Sequence, residues 1–274
     1  MKVLVPTDFS SSARLAFDYG YQLVKGEENL EFVLLNSYEM PSGASAGGVM
    51  MSLEEAMAKE SERDLALELK KMNEKYSDLK ITTVSRYGTL ENSISRTNNE
   101  EHVDLIVMGT HGASGLKKAL IGSNTQAVIE NAVRPVISVP SEWETKEVKN
   151  IVYATDLKEL QNLQTLEPIN MIADLADATI HIVYVTENAS DFDLENEVTK
   201  LPLHNFFKDK TVKYKVIECD DVAEGIDSYV NEISADMVVT IPKEVSFWQK
   251  LFKRSVTEHM AFQSKVPLLS LKDQ

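Results

Sequence analysis

The sequence predicts an α/β protein: two tandem doubly wound domains, each with a mainly parallel five-stranded sheet. Short apolar runs alternate with helical stretches along the chain, as expected for parallel strands covered on both faces. The chain also repeats itself at fixed offsets. Its 274 residues, 43% of them hydrophobic, are enough for two ordinary cores.

The elements follow in order. Val3–Pro6 reads as a buried strand. Ser10–Lys25 reads as a helix, with Ala13, Ala16, Phe17, Tyr21 and Val24 at helical spacing. Glu31–Asn36 is a second strand and Leu53–Tyr76 a long amphipathic helix. Strand Ile81–Ser85, helix Leu90–Asn99, strand Leu105–Met108, helix Thr125–Asn131 and strand Val136–Val139 complete the first half. Sheets of this kind bind ligands beyond the carboxyl ends of their strands, where the strand order reverses.

The repeat supports the division. Lys2–Phe9 (KVLVPTDF) matches Asn150–Leu157 (NIVYATDL), an offset of 156 − 8 = 148, and Phe32–Leu35 matches Ile180–Val183 at the same offset. Val103–Val107 matches Ala235–Val239 at 236 − 104 = 132, and Arg134–Val139 matches Val266–Leu271 at that offset. One net length change of 148 − 132 = 16 residues, after about Ser37 and before Leu79, reconciles the two. The polar stretch Ser141–Val148 divides a domain at 1–144 from one at 145–274.

Composition excludes several classes of function. A formal net charge of -15 argues against nucleic acid or an anionic membrane as partner. Cys219 is the single cysteine, so no intrachain disulfide or multi-cysteine metal site can form. The N-terminus enters a strand directly, without the features of a signal peptide. No apolar run approaches the roughly 20 residues that span a bilayer. A cytoplasmic protein is the expectation.

Chemistry concentrates after the strand ending at Met108, in Gly109-x2-Gly112-x9-Gly122-Ser123. Glycine lets backbone N–H groups approach a ligand with no Cβ in the way. The helix starting beyond Gly122 offers unpaired amides to an anion, and Ser123 and Thr125 add hydroxyls. Neither a Walker-type GxxxxGK[ST] nor a dinucleotide GxGxxG is present. Ser123-x-x-Gln126 also reads as a capping box, and Asp8 as the N-cap of the Ser10–Lys25 helix, so both have structural alternatives. No second His or carboxylate at ligand spacing makes His111 a metal site.

Together, Pro6-Thr7-Asp8-Phe9-Ser10, Val107-Met108-Gly109-Thr110-His111-Gly112, Gly122-Ser123 and Arg134-Pro135-Val136 resemble the universal stress protein family, in its tandem form, over essentially the whole chain. The resemblance implies an adenine nucleotide alpha hydrolase-like, Rossmann-like fold and ATP as ligand, carried with Mg2+. It implies that Gly109, Gly112, Gly122, Ser123, Asn124 and Thr125 surround the triphosphate and ribose. Asp8 then bonds the adenine end beside Pro6 and Thr7, and His111, Met108 and Ser37 line the pocket. Ser37 stands where an apolar residue is more usual.

The second half lacks the loop. Ile241, Glu244 and Arg254 stand opposite Gly109, Gly112 and Gly122; only Ser255, opposite Ser123, is retained. Ten of the 11 glycines lie in the first half. Side chains at these positions, the charge of Glu244 and the lost N–H of Pro242 oppose phosphate binding. Phe247, Trp248, Leu251 and Phe252 bring apolar bulk that packs a helix, fills the vacant space or meets a partner. Since this half tolerates side chains there, architecture alone should not demand Gly109, Gly112 and Gly122.

No Ser/His/Asp or Cys/His constellation can be placed, and Lys117 and Lys118 are the cations inside the glycine motif. The leading expectation is a nucleotide-binding stress or regulatory protein with slow or no turnover. The alternatives are an ATP hydrolase or autophosphorylating enzyme using the same site, and a nucleotide-free interaction module. Pro135–Val139 and Pro267–Leu271 are apolar edge strands that can pair within the chain; a homodimer and an unidentified protein partner remain open. The Ser42–Met51 loop is expected to cover the nucleotide or a neighbouring chain.

Overall fold

The computed structural model describes residues 1–40, 48–112, 122–144, 146–157, 162–189, 202–241 and 266–273. Strands β1 (Lys2–Pro6), β2 (Glu31–Tyr38), β3 (Lys80–Tyr87), β4 (Leu105–Gly109) and β5 (Val136–Val139) form the first half. Strands β6 (Asn150–Ala154), β7 (Thr179–Thr186), β8 (Val212–Glu218), β9 (Met237–Thr240) and β10 (Leu268–Ser270) form the second. All ten make one sheet, ordered β3-β2-β1-β4-β5-β10-β9-β6-β7-β8. Every predicted strand of the first half is present: β1, β2, β4 and β5 are buried along nearly continuous apolar runs, and β3 is a half-exposed edge strand. Val3, Leu4, Val5, Phe32, Val33 and Leu35 are fully buried.

Pairing is parallel within each half and antiparallel at the single seam. There Leu268, Leu269 and Ser270 of β10 face Ser138, Ile137 and Val136 of β5. The apolar edges expected to seek partners satisfy each other within the chain. An antiparallel seam also directs the carboxyl ends of the two halves toward opposite ends of the sheet. The outer edges, β3 and β8, carry Lys80, Arg86, Lys213 and Lys215, charges that discourage further strand addition.

The register reproduces the repeat and refines it. Lys2 pairs with Glu31, and Asn150 with Thr179, both 29 apart (31 − 2 and 179 − 150). Phe32 pairs with Ile81 and Ile180 with Val212, separations of 49 and 32. Val3 pairs with Leu105 and Ile151 with Met237, separations of 102 and 86. The net difference of 102 − 86 = 16 is therefore two changes: 17 fewer residues before β8 (49 − 32) and one more between β8 and β9.

Helices α1 (Ser11–Val24), α2 (Gly48–Lys75), α3 (Leu90–Glu101) and α4 (Ser123–Asn131) accompany the first half. A 3-10 turn (Leu163–Leu166) leads into α5 (Glu167–Ala176), followed by α6 (Pro202–Phe206) and α7 (Val222–Glu232). Helix α2 starts at Gly48 rather than Leu53, and α4 at Ser123 rather than Thr125. The Ser42–Met51 loop divides: 41–47 lie outside the described residues, and the remainder is the start of α2. Gly20 of α1 packs on Val107, whereas Ile106, one residue earlier, shares a cleft with Val128 of α4 and Ile94 of α3. Neighbouring strand residues face opposite sides, so α1 covers one face and α3 and α4 the other. Helix α2 joins α1's face through Arg14–Glu68 and Asp18–Tyr76.

The stretch between the halves is packed in place. Trp143 and Val148 are buried, and Trp143 meets Tyr19 of α1 edge-on at 6.3 Å. Lys146 lies over the Trp143 ring and pairs with Asp236 at 2.6 Å.

Candidate functional site

The site expected from the sequence gathers at the carboxyl ends of β1, β2 and β4 and the start of α4. At β1, Pro6 and Thr7 are buried and Asp8 is exposed. Thr7 donates its amide to the Leu35 carbonyl at 2.8 Å, and its hydroxyl accepts from the Phe9 amide at 3.0 Å. Phe9 takes the left-handed conformation, φ 62°. Asp8 is not the N-cap that the sequence offered as its structural alternative. The N-cap of α1 is Ser10, whose side chain accepts from the Ala13 amide at 3.2 Å. Asp8 Oδ1 accepts from the Ser10 amide at 3.1 Å, which leaves Oδ2 directed toward the glycine loop.

The loop from β4 is closed at its base. The Thr110 amide donates to the Val139 carbonyl at 2.9 Å, and the Gly122 amide to the Thr110 carbonyl at 2.8 Å. The Thr125 hydroxyl donates to the Gly109 carbonyl at 3.0 Å, so it ties α4 to β4. His111 Nδ1 lies 2.9 Å from the Thr110 hydroxyl. Met108 is buried, and Ser37 sits at the end of β2 in register with Arg86 of β3. Residues 113–121, with Lys117 and Lys118, lie outside the described residues.

The capping-box reading of Ser123 does not hold. Gly122 is the N-cap of α4, with no side-chain cap, and Ser123 is the first helical residue. The first intrahelical bond runs from the Gln126 amide to the Gly122 carbonyl at 3.0 Å. The amides of Ser123, Asn124 and Thr125 precede it, at the helix end where backbone donors attract anions. Ser123 and Asn124 are exposed there.

The glycines divide by what a Cβ would meet. On Gly109 it would lie 2.3 Å from Ser12 Oγ and 3.1 Å from the Ser12 carbonyl oxygen. Backbone cannot yield cheaply, so α1 packing demands this glycine. That corrects the expectation that architecture leaves the position free. In the second half Ile241 occupies Gly109's place, packed against the core; the residues opposite Ser10 and Ser12 (10 + 148 and 12 + 148) lie outside the described residues. On Gly122 a Cβ would lie 3.2 Å from the Thr110 carbonyl oxygen. On Gly112 it would meet, among the described residues, only the Asp8 carboxylate, at 2.7 Å from Oδ2. A carboxylate can rotate away, so packing among the described residues does not demand Gly112. The glycine instead keeps the space beside Asp8 open.

Two neighbours escaped the sequence reading. Arg14 of α1 grips Glu68 of α2 through both guanidinium edges, Nε to Oε1 at 2.6 Å and Nη2 to Oε2 at 3.0 Å. The hydrogen bond to Glu68 holds the Arg14 charge more firmly, against some burial; the Glu68 charge and then nearby Asp8 add attraction. Burial opposes ionisation of Glu68, but Arg14, helped by Lys71, outweighs it and holds the carboxyl below its ordinary range. The other is Asn36, whose Nδ2 donates to the Thr7 carbonyl at 2.7 Å. A polar residue closing an apolar strand beside Ser37 was the available signal.

The family model described as "Universal stress protein family" matches residues 1–140, half of the chain. The chain belongs to the universal stress protein family. Universal stress protein MJ0577 of Methanocaldococcus jannaschii is 28% identical over 156 residues, 50% of this chain and 93% of that protein. Universal stress protein MJ0531 of the same organism is 32% identical over 140 residues, 50% of this chain and 81% of that one. A solved universal stress protein from Archaeoglobus fulgidus is similar over 100% of this chain and 98% of its own, with TM-score 0.75 and 19% identity. That likeness extends the universal stress protein fold over both halves. Among the described residues no group of three His, Cys, Asp or Glu side chains could hold a metal ion, and no helix is long and apolar enough to cross a membrane.

Proposed function

We propose that the first half binds one ATP and the second half binds none in that manner. On this reading the protein is a regulatory member of its family, with slow or no hydrolysis. The chain is two domains, 1–144 with the glycine loop and 145–274 without it. Asp8 receives the adenine end beside Pro6, Thr7 and Ser37. Gly109, His111, Gly112, Gly122, Ser123 and Asn124 surround the ribose and phosphates, over Met108 and Thr125. The observation that carries this is Gly112: a Cβ there would close the gap to Asp8, and nothing among the described residues asks for that gap. The exposed start of α4 supports it, since its uncapped amides suit an anion. ATP would bring charge, and Mg2+ would be held by the phosphates rather than by a protein carboxylate cluster.

Mass spectrometry of the denatured, freshly purified protein, with calorimetric titration of Mg-ATP, tests the proposal. One adenine nucleotide per chain is expected. No nucleotide and no heat would leave a nucleotide-free interaction module, and two per chain would refute the asymmetry. Steady phosphate release, abolished by Gly122→Val, would convert the reading to an ATP hydrolase.

A further inference from the structure

We propose that Asn36 is a positioning residue that sets the Thr7–Asp8 peptide for the base end of the nucleotide, acting through a relay anchored in α2. This rests on the ATP reading above. Asn36 Nδ2 donates to the Thr7 carbonyl at 2.7 Å, and Asn36 Oδ1 accepts from the Ser61 hydroxyl at 2.8 Å. The Ser61 and Ser85 hydroxyls are 2.7 Å apart. A hydroxyl has one hydrogen. Ser61 uses its own on Asn36, so Ser85 donates to Ser61. Every group in the relay thereby has one orientation, from β3 through α2 and β2 to β1. It ends on the peptide whose nitrogen belongs to Asp8. Fixing that carbonyl fixes the direction in which the Asp8 side chain leaves the backbone.

A second tie reaches the other flank of the same residue. Glu68, two turns along α2 from Ser61, holds Arg14, and Arg14 lies within electrostatic reach of Asp8. Ser61 and Glu68 are both buried, on a helix face otherwise filled by Leu65 and Met72. Burying polar groups there is unfavourable unless they are bonded, and both are bonded toward the Asp8 turn.

The turn itself does not need the relay. Thr155 and Leu157 repeat the Thr7–Phe9 geometry, with a 3.1 Å bond and φ 57°. The positions of Asn36 and Ser85 are there taken by Tyr184 (36 + 148) and its registered partner Val216. Among the described residues the carboxamide relay accompanies only the half that carries the glycine loop.

The test uses the full chain and two probes, ATP and inorganic tripolyphosphate, which has the phosphates without the base. By calorimetry, Asn36→Leu is expected to weaken ATP about tenfold, the worth of one well-placed hydrogen bond, and to leave tripolyphosphate unchanged. Ser61→Ala breaks the relay without altering Asn36 and is expected to shift ATP in the same direction by less. Equal losses for both probes, or an unchanged ATP affinity, overturn the proposal. If the wild-type chain binds neither probe, the ATP reading fails and hydrogen exchange decides the relay. The Phe9 and Ser10 amides should then lose protection in Asn36→Leu while the Leu157 amide does not; equal protection in wild type and variant overturns the positioning role.

Discussion

At the end of β1, Thr7 accepts from the Phe9 amide at 3.0 Å and Phe9 turns to φ 62°; at the end of β6, Thr155 accepts from the Leu157 amide at 3.1 Å and Leu157 turns to φ 57°. The strained turn and the Thr-Asp pair belong to the fold, because both halves keep them. Asp8 by itself is therefore weak testimony to a ligand. What separates the halves lies around the turn: Asn36 against Tyr184, Ser85 against Val216, Gly109 against Ile241. The shared features are bought by architecture and the unshared ones need another cause. Gly109 has a local one in Ser12, which leaves Gly112 and the Asn36 relay as the features most tied to binding.

The largest expected effect breaks this comparison at Gly109. Gly109→Val drives a branched side chain into the Ser12 backbone. Overpacking of this kind costs about 3 kcal/mol, lowering the melting temperature by roughly 6–12 °C. Ile241→Val, at the counterpart, removes one methylene from a half-buried side chain and should cost about 1 kcal/mol or less. Thermal unfolding of both variants checks this; equal shifts would mean that Gly109 is not held by α1.

Gly112→Ala sharpens the comparison at the site. The added Cβ displaces the end of a side chain rather than backbone, so melting should move by no more than about 2 °C, within the range of surface changes. ATP affinity should fall about tenfold, or about 1.4 kcal/mol, because Asp8 is pushed from its place and the gap is filled. Calorimetry of the folded variant decides it, and an unchanged affinity would remove Gly112 from the site.

These tests bear on what a sequence can reveal. Val3–Pro6 and Val136–Val139 were legible because buried parallel strands are written as apolar runs. The glycine loop was legible as a pattern, but its glycines look alike in sequence. That Gly109 answers to Ser12 and Gly112 to Asp8 is a matter of which atoms lie opposite, and those are about a hundred residues away. The Asn36–Ser61–Ser85 relay was illegible for the same reason: its members sit 25 and 24 residues apart on three elements. The start of α2 at Gly48 was missed because a glycine opening a helix offers no cap residue and no apolar period. Ser123 and Asp8 each had a cap as the structural alternative to a binding role, and in each case a neighbour is the cap, Gly122 and Ser10.

The smallest expected effect separates the halves by their response to acid. His181 of β7 stands where the first half has Val33 (181 − 148). Its ring is buried, with Nδ1 2.9 Å from the Tyr229 hydroxyl and Nε2 3.2 Å from Asn150 Oδ1. The Asn150 oxygen can only accept, so Nε2 carries the proton and Nδ1 accepts from Tyr229; the neutral ring is fully bonded. Burial, and then the charge of Lys213 beside it on β8, push the imidazole below its ordinary value of 6.5. The unfolded chain therefore takes up a proton that the folded chain resists. Stability present above pH 6.5 is lost as pH falls toward the depressed folded value. Glu68 behaves likewise for a different reason, but its window opens only below about 4.5. Denaturant titrations of wild type and His181→Val from pH 7 to 5 should differ in slope by up to about 1 kcal/mol per pH unit, within the ceiling set by one proton. Parallel slopes would mean that the second half titrates through other groups.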